Sequence, residues 1–160
     1  MPHLPPAWAQ HLESGVSNRI GACDPDGRPE ICRALAAREA ADGRIEVLLA
    51  ADVGQALIAA VQATRRVAHT AAHPGTNKVL HMKGRDAEVA PAEPAHLAWV
   101  ESSRQRFGAA LEPYGYDAAA LRRVWYDVDL ADLRCVRFTP FGAWDQTPGI
   151  GAGAAIELAP

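Results

Sequence analysis

The sequence is poor in cysteine and in lysine. Three cysteines among 160 residues, with no CxxC spacing, exclude a disulfide framework and argue against a structural zinc site. Such usage is typical of a protein kept in a reducing compartment. Only two lysines accompany the fourteen arginines, and the formal net charge is −3. Because non-specific nucleic-acid binding requires a basic excess, we expect no nucleic-acid partner.

Long apolar stretches and leader-like features are also missing. No apolar run approaches the roughly 18 residues that a membrane-spanning helix needs, so we expect no membrane association. Residues 1–6 contain neither a basic segment nor an apolar core of the kind that a signal peptide has. Together with the cysteine usage, these features predict a cytoplasmic protein.

The composition that is present is that of an ordinary globular domain. Apolar residues make up 49% of the chain and charged residues 22%, which argues against disorder. The length suits one domain over residues 1–160. Within it we expect an N-terminal arm, residues 1–13, with a short helix near its end. We also expect a flexible Gly/Ala tail, residues 148–160, too rich in glycine to hold regular structure.

Alternating apolar and polar residues predict six strands. They span residues 15–23, 30–38, 44–50, 66–72, 77–89 and 133–141. Short turn-rich loops join the first three, which makes these antiparallel because parallel neighbours need a long crossover.

A helical spacing of apolar residues predicts three further elements. One helix, residues 51–62, is inserted before the fourth strand. A peripheral pair follows the fifth strand, over residues 91–111 and from residue 117 onward. In the second helix of this pair, Leu121, Val124 and Trp125 are predicted to face inward.

The fifth predicted strand changes its alternation at Gly84. Leu80 and Met82 share the parity of this glycine, whereas Ala87 and Val89 have the opposite parity. A one-residue slip at a glycine is what a β-bulge produces, and bulges bend strands around barrel corners. The element order is not a β–α–β alternation. It predicts a mainly β, six-stranded, mostly antiparallel and partly closed barrel with an inserted helix.

Sequence patterns for nucleophilic catalysis or dinucleotide binding are weak. No serine lies in a G-x-S-x-G turn. Gly149, Gly151 and Gly153 match a dinucleotide fingerprint in letters, but no strand and helix surround them. Cys32 lies in an apolar strand, where we expect a buried, unreactive thiol.

Three histidines are the candidates for binding a metal or haem. His69 and His73 are four residues apart and would share one face of a strand, with His81 on the next strand. No acidic residue is spaced to complete a metal site. We therefore expect no metal, and haem is kept as a weaker alternative ligand.

Basic residues interrupt the apolar second and fifth strands. Arg33 lies inside an apolar run that ends at Arg38, and both lysines, Lys78 and Lys83, lie on the fifth strand. A buried cation needs an anionic partner because an unpaired buried charge is costly. The partner is either a carboxylate of the fold or a phosphate of a ligand, and the sequence leaves both open.

The strand order, hairpins, inserted helix and bulged fifth strand resemble the pyridoxamine 5'-phosphate oxidase-like, FMN-binding split-barrel family. The resemblance covers residues 15–89 and 133–146. The stretches TNKVLHMKG, residues 76–84, and WDQTPG, residues 144–149, resemble an uncharacterised bacterial branch of it. This resemblance implies a split barrel that forms a homodimer and holds FMN in the cleft between subunits.

The resemblance also implies phosphate-binding residues. The family oxidases have an arginine followed five positions later by a lysine, and both serve the flavin phosphate. Arg33 and Arg38 match that spacing, although Arg38 must then lie beyond a bend or past the strand end. The start of the inserted helix, with Gln55, would assist. The Ser-Arg-Lys run that the oxidases have there is missing from this chain.

Further residues would contact the flavin ring. Asn77 and Lys78 would face its edge. Trp144 and Gln146 would cover the site, with Trp144 either stacking on the flavin or packing in the dimer interface.

The function that the resemblance implies is that of an FMN-binding, flavin-type oxidoreductase with an unknown substrate. Vitamin B6 oxidation itself is not expected, because the tryptophan and the Arg-x-His-x-x-Arg stretch that bind the substrate in the oxidases have no equivalent here. One alternative is a non-enzymatic split-barrel protein that has lost or changed the flavin and binds haem or another small ligand. Another is a dimeric scaffold whose arginines pair internally.

Overall fold

Ten strands form two antiparallel sheets in the computed structural model, which describes residues 2–160. In chain order they are β1 (Ser17–Cys23), β2 (Pro29–Ala34), β3 (Ala36–Glu39), β4 (Ile45–Ala50), β5 (Val67–Ala72), β6 (Val79–Gly84), β7 (Glu88–Pro91), β8 (Leu133–Phe138), β9 (Pro140–Asp145) and β10 (Ala154–Ile156). The six-stranded sheet has the order β10-β9-β6-β5-β1-β2, and the four-stranded sheet has the order β3-β4-β8-β7. The element order predicted a partly closed antiparallel barrel, and the two sheets match the split barrel that the resemblance implied.

Four α-helices accompany the sheets. They are α1 (Pro6–Leu12), α2 (Ala51–Thr64), α3 (Pro94–Leu111) and α4 (Ala118–Leu121). A π-helical turn, Arg122–Tyr126, follows α4 directly. Within residues 2–160, no helix is both long enough and apolar enough to cross a membrane.

Six predicted strands became ten mainly because three apolar runs pass from one sheet to the other. The second run breaks at Leu35 into β2 and β3, the fifth divides into β6 and β7, and the last divides into β8 and β9. Each break is a corner of the barrel. Strand propensity continues through a corner, so the residues alone do not reveal it.

A register shift does occur at Gly84, but the extra residue lies on the neighbouring strand β9 and not in the fifth predicted strand. Lys83 pairs with Gly142, whereas Gly84 pairs with Pro140. Phe141, which lies on β9, is therefore left without a partner on β6. A bulge of this kind redirects the side chain of the extra residue.

Side chains from both sheets fill the barrel. The strand β5 shows the alternation clearly, because every second side chain is buried. α2 adds Leu57 and Val61 to this core. The largest fully buried side chains of the barrel are Ile20, Ile45, Leu49, Leu80, Met82 and Phe138. A second cluster, which includes Leu35, Leu48, Trp99, Phe107 and Leu133, packs α3 against the four-stranded sheet.

The prediction that the tail holds no regular structure was wrong. Residues Ala154–Ile156 form β10, which pairs with β9, and Ala159 forms a bridge with His3. Antiparallel pairing uses only backbone N–H and C=O groups, so small side chains suffice. Gly149 and Gly153 have positive φ angles, and they lie in the turn that brings the chain back.

The predicted inward face of the second peripheral helix was also partly wrong. Leu121 is buried as expected, but Val124 is 67% exposed and Trp125 is 38% exposed, while Tyr126 is buried instead. The π-helical turn explains the difference, because its longer hydrogen-bonded ring shifts side chains away from the regular helical spacing.

Candidate functional site

Arg33, on β2, forms one wall of a cavity of about 560 Å³. Its guanidinium carbon lies 4.1 Å from the ring centre of Trp125 and 5.0 Å from that of Phe107. The Nε and Nη2 atoms are buried and have no hydrogen-bond partner. Burial lowers the pKa of Arg33, and the phenol of Tyr126 opposes this shift. The cation is therefore held in place by aromatic rings while donors remain unused.

A second arginine, Arg19, lies directly opposite Arg33 on the neighbouring strand β1 and also lines the cavity. Its guanidinium donates to the hydroxyl of Ser17 and to the carbonyl of Asn18. Across residues 2–160, neither Arg19 nor Arg33 forms an ion pair with a carboxylate. Like charges placed directly opposite on antiparallel strands are unfavourable unless an anion joins them.

The N-terminus of α2 forms the next wall of the cavity. Ala50, Asp52 and Val53 line it, and no side chain caps the helix. Asp52 accepts a hydrogen bond from the backbone N–H of Val53 at 2.7 Å. The start of a 14-residue helix carries partial positive charge and unpaired N–H groups, which favour an anion.

The remaining rim is acidic and apolar. Four exposed aspartates line the same cavity as the two arginines, namely Asp52, Asp127, Asp129 and Asp132. The apolar part of the rim is formed by Ile31, Val53, Val124 and Trp125, and the first two are 73% and 70% exposed. An apolar patch beside a polar cavity is typical of a surface that a ligand or a partner covers.

Arg38 lies outside this cavity, in the other sheet. The break at Leu35 separates it from Arg33, as the expected bend requires. Its Nε and Nη2 donate to Oε2 of Glu46 at 2.8 Å and 2.7 Å, and its guanidinium stacks on Trp99 at 4.3 Å. Glu46 also pairs with Arg137 at 3.2 Å. The sequence left open whether Arg38 pairs with a carboxylate of the fold or with a ligand phosphate. In the structure it pairs with the carboxylate of Glu46.

The other expected contact residues are dispersed within the single chain. Gln55 is exposed on α2 and lines a separate cavity of about 420 Å³. Asn77 has a positive φ in the turn between β5 and β6, and the Nζ of Lys78 lies 4.0 Å from the ring centre of Trp8. The backbone N–H of Gln146 donates to a carbonyl of β6.

Trp144 is related to Arg33 through a single row across the six-stranded sheet. Arg33, Arg19, Thr70, His81 and Trp144 are successive cross-strand partners on the outward face. Four strand spacings of about 4.8 Å separate the ends of this row by about 19 Å. Nδ1 of His81 lies 2.9 Å from the Thr70 hydroxyl, and its ring centre lies 6.0 Å from that of Trp144.

The three histidines considered for haem or metal do not converge. His69 is fully buried inside the barrel, where Nε2–H donates to Oδ1 of Asn18 at 3.1 Å. His73 accepts two backbone N–H groups of its own turn. His81 lies on the outward face. In the part of the chain that the structure describes, no three His, Cys, Asp or Glu side chains are placed to hold a metal ion.

Comparisons with known proteins agree with this fold. No protein-family model matches the chain, and no curated protein matches it significantly. Sixty-seven chains of solved structures do match. A protein described as F420 reductase has a TM-score of 0.55 at 15% identity, over 88% of this chain and 98% of that one. HupZ of Group A Streptococcus has a TM-score of 0.58 at 9% identity, over 94% and 100%.

A third solved structure carries the family description that the sequence suggested. It is a pyridoxamine 5'-phosphate oxidase-related, FMN-binding protein from Nostoc punctiforme, with a TM-score of 0.50 at 15% identity, over 91% of this chain and 83% of that one. The chain therefore has the split-barrel fold of the pyridoxamine 5'-phosphate oxidase-like proteins. Identities this low show the fold and leave the ligand to the site itself.

Proposed function

We propose that the protein is a homodimer that binds FMN, with the flavin phosphate at the cavity beside Arg33. The observation that carries this proposal is the guanidinium of Arg33, which lines an open cavity, forms no ion pair with a carboxylate of residues 2–160 and has two donors without a hydrogen-bond partner. A phosphate oxygen accepts such donors in charge-assisted hydrogen bonds. The residues present therefore fit the phosphorylated end of the cofactor.

Two neighbouring features support the same position for the phosphate. Arg19 brings a second cation that has no carboxylate partner, and the uncapped start of α2 offers backbone N–H groups. The negative charges of the four aspartates disfavour binding of an anion. These side chains are exposed, however, so water and salt screen their charges. Arg33 is partly shielded from solvent, and its field is screened less.

The row across the six-stranded sheet suggests how the dimer completes the site. Thr70 is the middle residue of the row, with Arg33 at one end and Trp144 at the other. A two-fold axis parallel to the strands above Thr70 would place Trp144 of the partner subunit opposite Arg33. Such an isologous interface would also cover the exposed side chain of Ile31.

Bound FMN would supply hydride and electron transfer to a substrate. The chain would hold the phosphate through Arg33 and Arg19, and the apolar rim around Ile31 and Val53 would exclude water from the site. No side chain at this cavity is assigned as a general acid or base. This arrangement supports an oxidoreductase, and it does not depend on Arg38, which is paired with Glu46.

The test compares FMN with riboflavin, which lacks the phosphate. We expect the wild-type protein to quench FMN fluorescence and to bind FMN at least about tenfold more tightly than riboflavin. Arg33→Gln removes two charge-assisted bonds worth about 1.5–3 kcal/mol each, so FMN should weaken by about a hundredfold or more. Arg28→Gln, an exposed turn variant, serves as the control. Equal affinity for FMN and riboflavin would show that no phosphate is held at Arg33.

The dimer has its own measurement. Light scattering after size-exclusion chromatography should give twice the chain mass, and Ile31→Glu should shift the population toward monomer because it places a charge in the apolar interface. A wild-type protein that is monomeric and still binds FMN would contradict the two-fold arrangement but not the phosphate site at Arg33.

The second candidate function, haem binding without catalysis, has one residue to support it. Of the three histidines, His81 has its ring on the outward face next to Trp144. Haem bound through this ring would give a Soret band that His81→Ala abolishes. A spectrum unchanged by His81→Ala removes this candidate.

A further inference from the structure

A second cavity, of about 830 Å³, lies farther along the outward face of the six-stranded sheet. It runs across the ends of β1, β5, β6 and β9, and we name it the cationic groove. Its floor is formed by small residues, including Gly21, Ala68 and Gly84. Gly21 pairs with Ala68 in one cross-strand row, so the sheet surface is bare there. None of its lining residues lines the cavity beside Arg33.

Three cations and no carboxylate line the cationic groove. Arg66, Lys83 and Arg85 are exposed, and across residues 2–160 none of them forms an ion pair. Arg65, adjacent in sequence to Arg66, does form one, with Glu88 at 3.0 Å. The groove therefore holds three positive charges without a carboxylate partner, although the whole chain has a net charge of −3.

Aromatic rings hold two of these cations in place. The guanidinium carbon of Arg85 lies 4.1 Å from the ring centre of Phe141, the extra residue of the bulge. The Nζ of Lys83 lies 5.5 Å from the ring centre of Trp144. Stacking uses the π face of a guanidinium and leaves its in-plane N–H donors free. These cations are therefore oriented without being neutralised.

Gly142 sets the position of the indole at one end of the groove. A Cβ at residue 142 would lie 2.5 Å from Cη2 of Trp144. The indole therefore folds back over the glycine, close to Lys83, which is the cross-strand partner of Gly142. The bulge and the glycine together produce two aromatic walls beside a bare floor.

We propose that the cationic groove binds a small aromatic anion, an aryl carboxylate or an aryl phosphate ester. Its acidic group would accept hydrogen bonds from Arg85 and Lys83, and its ring would lie on the small-residue floor against Trp144 and Phe141. The volume falls within the roughly 300–1,000 Å³ of small-molecule sites. Three cations within a single groove of an acidic protein match a compact anion rather than a polyanion.

The site stands on its own residues and does not require flavin. One extension rests on the proposed function: an interface that covers Ile31 also reaches Gly21, its cross-strand partner on the groove floor, so in the proposed dimer the groove lies between the subunits and Trp144 borders both sites. The aromatic anion would then lie beside the flavin as a substrate does. Without flavin binding, the cationic groove remains a binding site for the same class of ligand.

Equilibrium dialysis with 1-naphthyl phosphate tests the proposal. We expect saturable binding by the wild-type protein and at least about tenfold weaker binding by Lys83→Gln and by Arg85→Gln, since each loses a charge-assisted bond. Arg65→Gln is the matched control, because it removes a neighbouring arginine outside the groove and should leave the affinity unchanged. The uncharged 1-naphthol should bind at least about tenfold more weakly than its phosphate ester.

The outcomes separate the two sites. Arg33→Gln should lose FMN affinity and keep its affinity for 1-naphthyl phosphate. Binding that Arg33→Gln removes and that both groove variants retain would place the ligand in the first cavity and overturn the proposal. Equal affinities across wild type, Lys83→Gln and Arg85→Gln would overturn it as well. The three groove cations are exposed, so these substitutions leave the core intact.

Discussion

Arg19 and Arg33 face each other on adjacent strands of the β1–β2 hairpin, and neither has a carboxylate partner within residues 2–160. The two positively charged guanidinium groups repel each other when no anion lies between them. An anion between the two guanidinium groups would turn this repulsion into attraction. The hairpin therefore favours binding of an anion. Without one, the repulsion between the two arginines lowers the stability of the folded protein.

Removing one member of this pair should stabilise the empty protein. Arg19→Gln is expected to raise the free energy of unfolding by about 0.2–1 kcal/mol at low ionic strength. The gain should shrink in about 1 M salt, where the Debye length is about 3 Å. Urea denaturation at the two salt concentrations measures it. Arg28→Gln, which removes an arginine paired with Asp26, should give no gain. Destabilisation by Arg19→Gln, equal at both salt concentrations, would contradict the repulsion.

The acidic rim of the first cavity gives a second prediction. Asp129→Asn removes one negative charge from the lining of the cavity that Arg19 and Arg33 also line. FMN affinity should rise by about twofold to fivefold at low salt, as expected for an exposed charge, and the gain should disappear at high salt. Fluorescence titration measures the change, with Asp26→Asn in the β1–β2 turn as the control. Weaker FMN binding by Asp129→Asn would show that this carboxylate contacts the ligand directly.

Much of the architecture could be predicted because local patterns carry it. Alternation located the strands, turn residues located the hairpins, and the parity change at Gly84 coincides with the end of β6 and with the register shift between β6 and β9. The missed residue Arg19 had a signal as well. A hairpin centred on Asp26 places residues 19 and 33 opposite each other, which is the register observed.

The rest depends on long-range packing that no short stretch encodes. The break at Leu35 sends Arg33 and Arg38 into different sheets, although their spacing suggested a shared phosphate. Glu46, the partner of Arg38, is eight residues away and meets it only because β3 and β4 pair. Likewise, β10 forms because β9 offers an edge to the tail.

The pair Arg38–Glu46 should behave as a structural ion pair. Glu46 is 8% exposed and contacts two arginines, so Glu46→Gln leaves both with weakened partners. We expect a loss of about 1–3 kcal/mol in the free energy of unfolding. Glu88→Gln is the matched control, since Glu88 also pairs with two arginines but is exposed, and it should cost less than about 1 kcal/mol. If Glu46→Gln and Glu88→Gln lowered the free energy of unfolding equally, the burial of Glu46 would not be the cause of its larger expected effect.

Gly84, where the register between β6 and β9 shifts, is required by packing. A Cβ there would lie 2.5 Å from Cδ2 and 2.9 Å from Cβ of Phe138, a fully buried ring. Gly84→Ala should therefore lower the free energy of unfolding by about 1–3 kcal/mol, the usual cost of overpacking a core. Gly151→Ala, where an added Cβ meets nothing within 4 Å, is the control. Thermal unfolding of both variants measures this, and similar melting temperatures would contradict it.

His69 should make the folded protein sensitive to acid. Burial inside the barrel, with a smaller contribution from His81, lowers the pKa of His69 to about 3. The unfolded chain takes up a proton near pH 6.5, whereas the folded chain does not. The stabilising effect of the neutral ring is complete above about pH 6.5 and is lost as the pH falls toward 3, at about 1.4 kcal/mol per pH unit.

The comparison with His69→Gln isolates this contribution. Glutamine can still donate to Asn18 but does not titrate, while His11 and His81, whose pKa values are also lowered, stay in both proteins. Between pH 7 and pH 5 the wild-type free energy of unfolding should fall by about 2 kcal/mol more than that of the variant. Urea denaturation at each pH measures the two slopes. If the glutamine packs poorly, His69→Leu provides a second non-titrating variant. The change in free energy of unfolding with pH can still be compared, because this slope does not depend on absolute stability. Parallel slopes for all three proteins would show that protonated His69 is tolerated inside the barrel.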